Sequence, residues 1–406
     1  MQTQRMRLAL ILLCIAGSIG PCAAADSAIL SRAQLETHLR EHAADTPLNA
    51  LSPGARERFL MSLSFDANGV TALDAADLMD ELTQEQILAV LSLFGPRALE
   101  NPPPSHYLET RRVDKRRANS GSIGAIERRY NQFYGETRFP PQTTDLARAQ
   151  ALAAAFDARL GELFTTSALH RVDDHELRLL RTAARRVATQ ARLARYVDTF
   201  RAIFGERVRR NLTSSDDVET LQGLLLAQHR VPEARRLARD HPLAKLPPLP
   251  EFIDTLGADN AQPTVWRFDA TGKRLTRAVI DLAPLSVIVT GNCELSREAA
   301  ADIDADPTLG PLFARHAQWL VPEPGIEAIP DAIAWNREFP RAPVAMIYAR
   351  ADFGVLPDWG MPQFYIVRNG AVIDTASGWW RGSPEARDQL LAALRRSGLL
   401  PGAGLK

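Results

Sequence analysis

Leu285-Ser286-Val287-Ile288-Val289-Thr290-Gly291-Asn292-Cys293-Glu294-Leu295-Ser296 is the stretch that decides the fold. Its first six residues are almost continuously apolar or β-branched, as a strand covered on both faces requires. Gly291-Asn292 punctuates the run, and from Cys293 to about residue 303 the pattern is helical. Upstream, 264–268 and 275–280 read as strands around Asp269-Ala270-Thr271-Gly272-Lys273, a hairpin signal with Gly272 near the turn. Downstream, the pattern predicts a strand at 317–321, a helix at 326–339 and a strand at 344–349. A hairpin of 363–367 and 371–374 follows, turned at Arg368-Asn369-Gly370, then a helix at 385–396. This order predicts a three-layer α/β domain with a mixed central sheet.

Three features of that region carry a resemblance to the thioredoxin-like family over roughly residues 260–400. A hydrophobic strand runs into Cys293-Glu294-Leu295-Ser296 at a helix start, where that family places a two-cysteine motif. Met361-Pro362 before Gln363 looks like its cis-proline. Arg368-Asn369-Gly370 followed by Gly378-Trp379 is similar to its hairpin turn and following glycine. The resemblance implies Cys293 as nucleophile, Ser296 as its hydrogen-bond partner and Pro362 as the positioner of a substrate edge. It also implies an apolar floor from Met361. Glu294, Met361, Trp359, Trp379 and Trp380 are the candidate partner-binding residues.

Ser296 stands where the family has its second cysteine, and this changes the expected chemistry. In a dithiol cycle the second sulfur resolves the mixed disulfide formed by the first. A hydroxyl cannot, so exchange at Cys293 stops at the mixed disulfide unless an external thiol resolves it. Backbone N–H groups at a helix start favour a thiolate, and Glu294 opposes it by like charge. All six tryptophans lie in this half of the chain. Neighbouring Trp379 and Trp380, read as strand residues, point to opposite faces, which makes one of them a candidate exposed anchor. The fold class expected is therefore α+β multidomain: an all-α N-terminal domain followed by an α/β thioredoxin-like domain with a mixed central sheet.

The helical part occupies 26–250. Ser52-Pro53 opens a helix, since a proline at the first helical position gives up an N–H that has no partner there. Leu177, Leu180, Ala184, Val187, Ala191 and Ala194 recur at steps of three or four, predicting one helix over 173–205. Its arginines, 178, 181, 185, 186 and 192, read as a solvated flank. Asp66, Asn68, Asp74 and Asp77 resemble calcium ligands, but Gly69 stands fourth where a calcium loop needs its glycine sixth. An Asn-Gly turn and helix-capping acids account for them. Residues 95–140 read as an irregular basic segment, with Pro102-Pro103-Pro104, the cluster 111–117 and interleaved aromatics. Lys245-Leu246-Pro247-Pro248-Leu249-Pro250 is stiff enough to mark a domain boundary near 250, leaving 251–406 as the thioredoxin-like domain.

Residues 1–25 run from Arg5 and Arg7 through an apolar stretch to Ala23-Ala24-Ala25, the order of a secretory signal peptide. The expected location is periplasmic or secreted, with no membrane span in the mature chain. Removing the signal also removes Cys14 and Cys22, which leaves Cys293 as a single thiol. The whole chain has 406 residues, 46% of them apolar, and 48 basic against 48 acidic side chains. That composition excludes whole-chain disorder and gives no charge excess for nucleic acid. No glycine-rich phosphate loop, zinc helix or serine elbow occurs, so neither a cofactor nor a metal is implied. The expected partner is a protein or peptide. The functional expectation is an exported non-redox binding or assembly factor, the alternative a monothiol thiol–disulfide exchange or isomerase-like enzyme using Cys293.

Overall fold

The computed structural model describes residues 28–100, 122–140, 143–257, 260–291, 293–325, 328–356, 359, 362–380, 382 and 384–401. The expected signal peptide (1–25), the cluster 111–117 and Met361 lie outside the described residues. The chain divides into two compact units, 1–123 and 124–406. An essentially all-helical N-terminal region is followed by a mixed α/β region with an eight-stranded sheet.

The first unit holds α1 (Arg32–Glu41), α2 (Pro53–Ser62), α3 (Ala76–Glu81), α4 (Gln84–Ser92) and α5 (Pro96–Leu99). Where a plain turn was expected, β1 (Ser64–Asp66) and β2 (Gly69–Ala72) form an antiparallel hairpin. The Asn68 N–H donates to Asp66 Oδ1 at 2.7 Å, and Gly69 takes φ +112, which a side chain would resist. The acids of this region have local uses. Asp66 also pairs with Arg97, Asp74 accepts the Ala76 N–H, and Asp77 holds the buried Arg58 at 2.6 Å. Leu35, Leu48, Phe59, Leu78, Ile87 and Phe94 are among the buried residues of the unit's own apolar core.

The second unit begins with α6 (Ala125–Glu136), α7 (Asp145–Arg159), α8 (Thr166–Leu169), α9 (Asp174–Ala191), α10 (Ala194–Arg209), α11 (Ser215–Ala227) and α12 (Val231–Asp240). Helix α6 corrects the expectation of an irregular segment reaching residue 140. Tyr130 and Phe133, three residues apart, bury one face of it, and that burial outweighs the modest helix propensity of aromatics. The helix expected over 173–205 is broken. Arg192 is left-handed (φ 53) and Leu193 extended, so α9 ends and α10 leaves in a new direction. Nor are the arginines of α9 a solvated flank. Arg181 and Arg185 pair with Asp216, Arg186 donates to Thr137, and Arg192 pairs with Glu323.

The strands are β3 (Glu251–Ile253), β4 (Thr264–Phe268), β5 (Arg274–Val279), β6 (Ser286–Thr290), β7 (Ala317–Val321), β8 (Val344–Ile347), β9 (Gln363–Arg368) and β10 (Ala371–Ser377). Their order across the sheet is β10-β9-β6-β7-β8-β4-β5-β3. β6, β7 and β8 are parallel, while β9 and β4 flank them antiparallel. Between β6 and β7 run α13 (Glu294–Ala305) and α14 (Leu309–His316). α15 (Ala328–Glu338) links β7 to β8, and α16 (Pro384–Ser397) ends the unit. Asn336 on α15 accepts the Val344 N–H at 2.7 Å and donates to the same residue's carbonyl, tying the helix to β8.

Period-two alternation separates two cores. Val287, Val289, Trp319, Val321, Met346, Phe364 and Ile366 join the helices α6 to α16 in one large cluster. Val265, Ile288, Leu320, Ala345, Ile347, Tyr365 and Val367 face the other way. They meet Phe353, Leu356 and Trp359 from the segment around a short 3-10 turn (Arg350–Phe353), and this cluster draws on no α-helical residue. The layering therefore departs from the three layers expected, since among the described residues the second face is covered by loop segments and not by α-helices. The boundary expected near 250 falls inside the second unit, because helices 125–240 and the sheet share one apolar core.

Candidate functional site

Strand β6 delivers Cys293. All five of its residues are buried, which fixes the strand at the centre of the sheet. Gly291 then turns the chain outward with φ +142, its N–H held by the Leu320 carbonyl at 3.1 Å. Cys293 takes the extended conformation of an N-cap, and its carbonyl accepts the Arg297 N–H at 3.0 Å, closing the first turn of α13. The half-buried thiol makes no capping bond. Its Sγ lies 3.3 Å from the Oγ of Ser296, which is fully buried. Glu294 and Leu295 beside it are exposed, Leu295 to 44%.

Register brings Pro362 to the same end of the sheet. Gln363 pairs with Thr290, the last residue of β6, so Pro362 lies where β6 gives way to Cys293. The Pro362 carbonyl accepts the Gly378 N–H at 3.0 Å, which places the chain after β10 there too. Trp379 and Trp380 lie beyond the end of β10, not within it, yet they do diverge. Trp379 is buried against Phe364 and donates its indole N–H to Asp302 of α13 at 3.0 Å. Trp380 is 55% exposed. Trp359 is buried in the second apolar cluster with the Arg350 guanidinium over its ring, so it presents no open face to a partner. Cys293, Ser296, Leu295 and Pro362 thus lie at one end of the sheet, with Trp380 two residues beyond the Gly378 that bonds Pro362, while Trp359 and Trp379 are withdrawn into the core.

Sequence reasoning missed a polar junction at this end of the sheet. Glu323, just past the end of β7, accepts the Arg350 N–H at 2.9 Å and pairs with Arg192 from α9. Asp145, at the start of α7, accepts the Trp359 N–H at 3.1 Å and pairs with Arg350. Burial, reinforced by repulsion from Arg350, pushes the Arg192 guanidinium down to about 10. A cleft of about 410 Å³ opens beside this junction, between α9, α11 and the Pro322–Gly325 loop. It lies at the carboxyl ends of the parallel strands, where open α/β sheets take their ligands. The only local hint was Arg192 at the end of the apolar run of α9. Its partner lies 131 residues away in sequence, beyond any local pattern.

Among the described residues no group of three or more His, Cys, Asp or Glu is placed to hold a metal ion, and no helix is long and apolar enough to cross a membrane. No protein-family model matches the chain, and no curated protein matches it. Among solved structures the chain is similar to a thioredoxin-like protein from Bacteroides caccae. That match has 10% identity and a TM-score of 0.22, and it covers 66% of this chain and 96% of the other.

Proposed function

We propose that the chain is an exported, non-redox binding or assembly factor that holds an extended segment of a protein partner. The proposed binding surface is that of Cys293, Pro362 and Trp380. The observation that carries this reading is the exposure of Trp380 to 55% and Leu295 to 44% at one end of the sheet, with a thiol that has no cysteine partner among the described residues. Exposed aromatics of this kind are the usual anchors of protein interfaces. Ser296 holds the Cys293 sulfur through its hydroxyl, an arrangement that serves shape without a redox cycle.

An array of immobilised peptides probed with the full chain tests this. Apolar-rich peptides are expected to bind the chain and its Cys293→Ser form equally, and to bind the Trp380→Ala form roughly tenfold more weakly or worse. Trp380 is exposed enough for the variant to keep its melting temperature. If no peptide binds, or if binding vanishes with Cys293→Ser, the proposal is lost. Export predicts a separate result: protein recovered from its native host begins at Asp26.

A second reading is favoured by the half-buried position of Cys293 at the start of α13. Its thiolate would attack a substrate disulfide and form a mixed disulfide, expelling one substrate thiolate. An external thiol would then attack the mixed disulfide and release Cys293 as thiolate again. Rapid gain of one glutathione from glutathione disulfide at neutral pH, seen by mass, favours this exchange. A silent thiol excludes it.

A further inference from the structure

At the opposite end of β6, a second cavity of about 460 Å³ lies over the amino ends of β6, β7 and β8. Its charge is one-sided. Arg267 on β4, Arg315 at the end of α14 and Arg341 before β8 line it, against the single carboxylate of Asp281. Arg267 donates to the amide oxygen of Gln318 at 3.0 Å and meets no carboxylate among the described residues. Burial pushes its guanidinium below the usual range, with no opposing charge to restore it. Arg315 has no acidic partner among the described residues, while Arg341 is tied to Asp304 at 2.8 Å. Ser286, the first residue of β6, also lines the cavity. It is 93% buried, and its Oγ has no hydrogen-bond partner.

An unpartnered buried hydroxyl is costly, and a cluster of arginines, exposed as Arg267 and Arg315 are, with one carboxylate to offset it raises the local positive potential. Both are met by one kind of occupant. We propose that this cavity binds a small, multiply charged oxyanion, with Arg267 and Arg315 holding its charged oxygens and the Ser286 hydroxyl, closed off from solvent in the free chain, turning to donate to it. Arginine forks match phosphate and carboxylate oxygens in pairs, and the volume suits a small metabolite better than a lone ion. Asp281 sets the orientation by repelling one side of the ligand.

Calorimetric titration of the full chain with pyrophosphate, citrate and inorganic phosphate at low ionic strength tests the proposal. Pyrophosphate or citrate is expected to bind more tightly than inorganic phosphate, with affinity falling as salt rises. A preference between the first two separates a phosphate ligand from a carboxylate one. Arg267→Gln and Arg315→Gln are each expected to weaken binding roughly tenfold or more. Arg274→Gln, outside the cavity, leaves binding unchanged. Ser286→Ala gives the distinguishing readout: it removes a hydroxyl that is unpaired in the free chain, so the melting temperature holds or rises while affinity falls. Absence of binding at millimolar anion, or equal binding by the Arg267 and Arg274 variants, overturns the proposal.

Discussion

Asp217→Ala is expected to lower the unfolding free energy by about 3–5 kcal/mol, the usual penalty for removing one partner of a buried ionic cluster. The carboxylate is fully buried on α11. Its Oδ1 accepts from Arg181 at 2.5 Å. Its Oδ2 accepts from Arg207 at 3.1 Å and from the Ser214 N–H at 2.9 Å. One side chain therefore joins α9, α10 and the cap of α11. Burial alone would raise its pKa, but Arg181, the Ser214 N–H and Arg207 together hold it below the usual range. Alanine leaves two mostly buried guanidinium groups without this counter-charge. Asp216→Ala is the internal control, because its carboxylate is half-exposed and exposed pairs contribute only about 0–1 kcal/mol. Urea midpoints at constant m-value compare the two. Equal losses for both variants would show that burial of the ion pair is not what stabilises this corner.

Stability is also expected to fall as pH drops from about 6.5 to about 4, through His229. The His229 ring stacks on Tyr348 with centroids 3.6 Å apart and planes 8° from parallel, and the Arg277 guanidinium covers Tyr348 at 3.5 Å. Burial first, and repulsion from Arg277 second, push the imidazole down to about 4; Asp254 and the Tyr348 backbone pull weakly the other way. Trp266 is the remaining aromatic neighbour. The folded chain thus keeps His229 neutral where the unfolded chain protonates it near 6.5, so unfolding takes up a proton inside that window. Stability is fully present above the unfolded value and is lost as pH falls towards the folded one. The whole effect is on the order of 3 kcal/mol. His229→Gln removes this slope, so the gap in urea midpoint between the two proteins must shrink between pH 7 and pH 4. A constant gap would mean that the ring titrates alike in both states.

The elements around β6 were legible because burial on both faces leaves a local mark: five consecutive buried residues, then a glycine and a cap. The hairpin at Asn369-Gly370 was legible for a similar reason, as Asn369 takes φ 52 and Gly370 φ 74. Cys293, Ser296 and Pro362 were expected together only through the family resemblance, and the pairing of Gln363 with Thr290 brings Pro362 to the end of β6. What stayed hidden depends on distant partners. Asp145 and Arg350, or Arg192 and Glu323, carry no local signature, and Lys245–Pro250 looked like a boundary because its stiffness says nothing of the core shared across it. Strand β3 is only three residues long and exists by pairing with β5. The burial of Trp359 depends on Phe353 and its neighbours, which no pattern within 357–362 reveals.

Strand β6 has one further consequence. Its five residues at about 3.3 Å each set the openings at its two ends on the order of 16 Å apart. That span exceeds the ionic screening distance of about 8 Å at physiological salt. Through the surrounding water a charge at one opening is screened from the other, whereas the strand itself, buried along its whole length, screens little. Occupants of the two proposed sites would share this one rigid strand from its opposite ends.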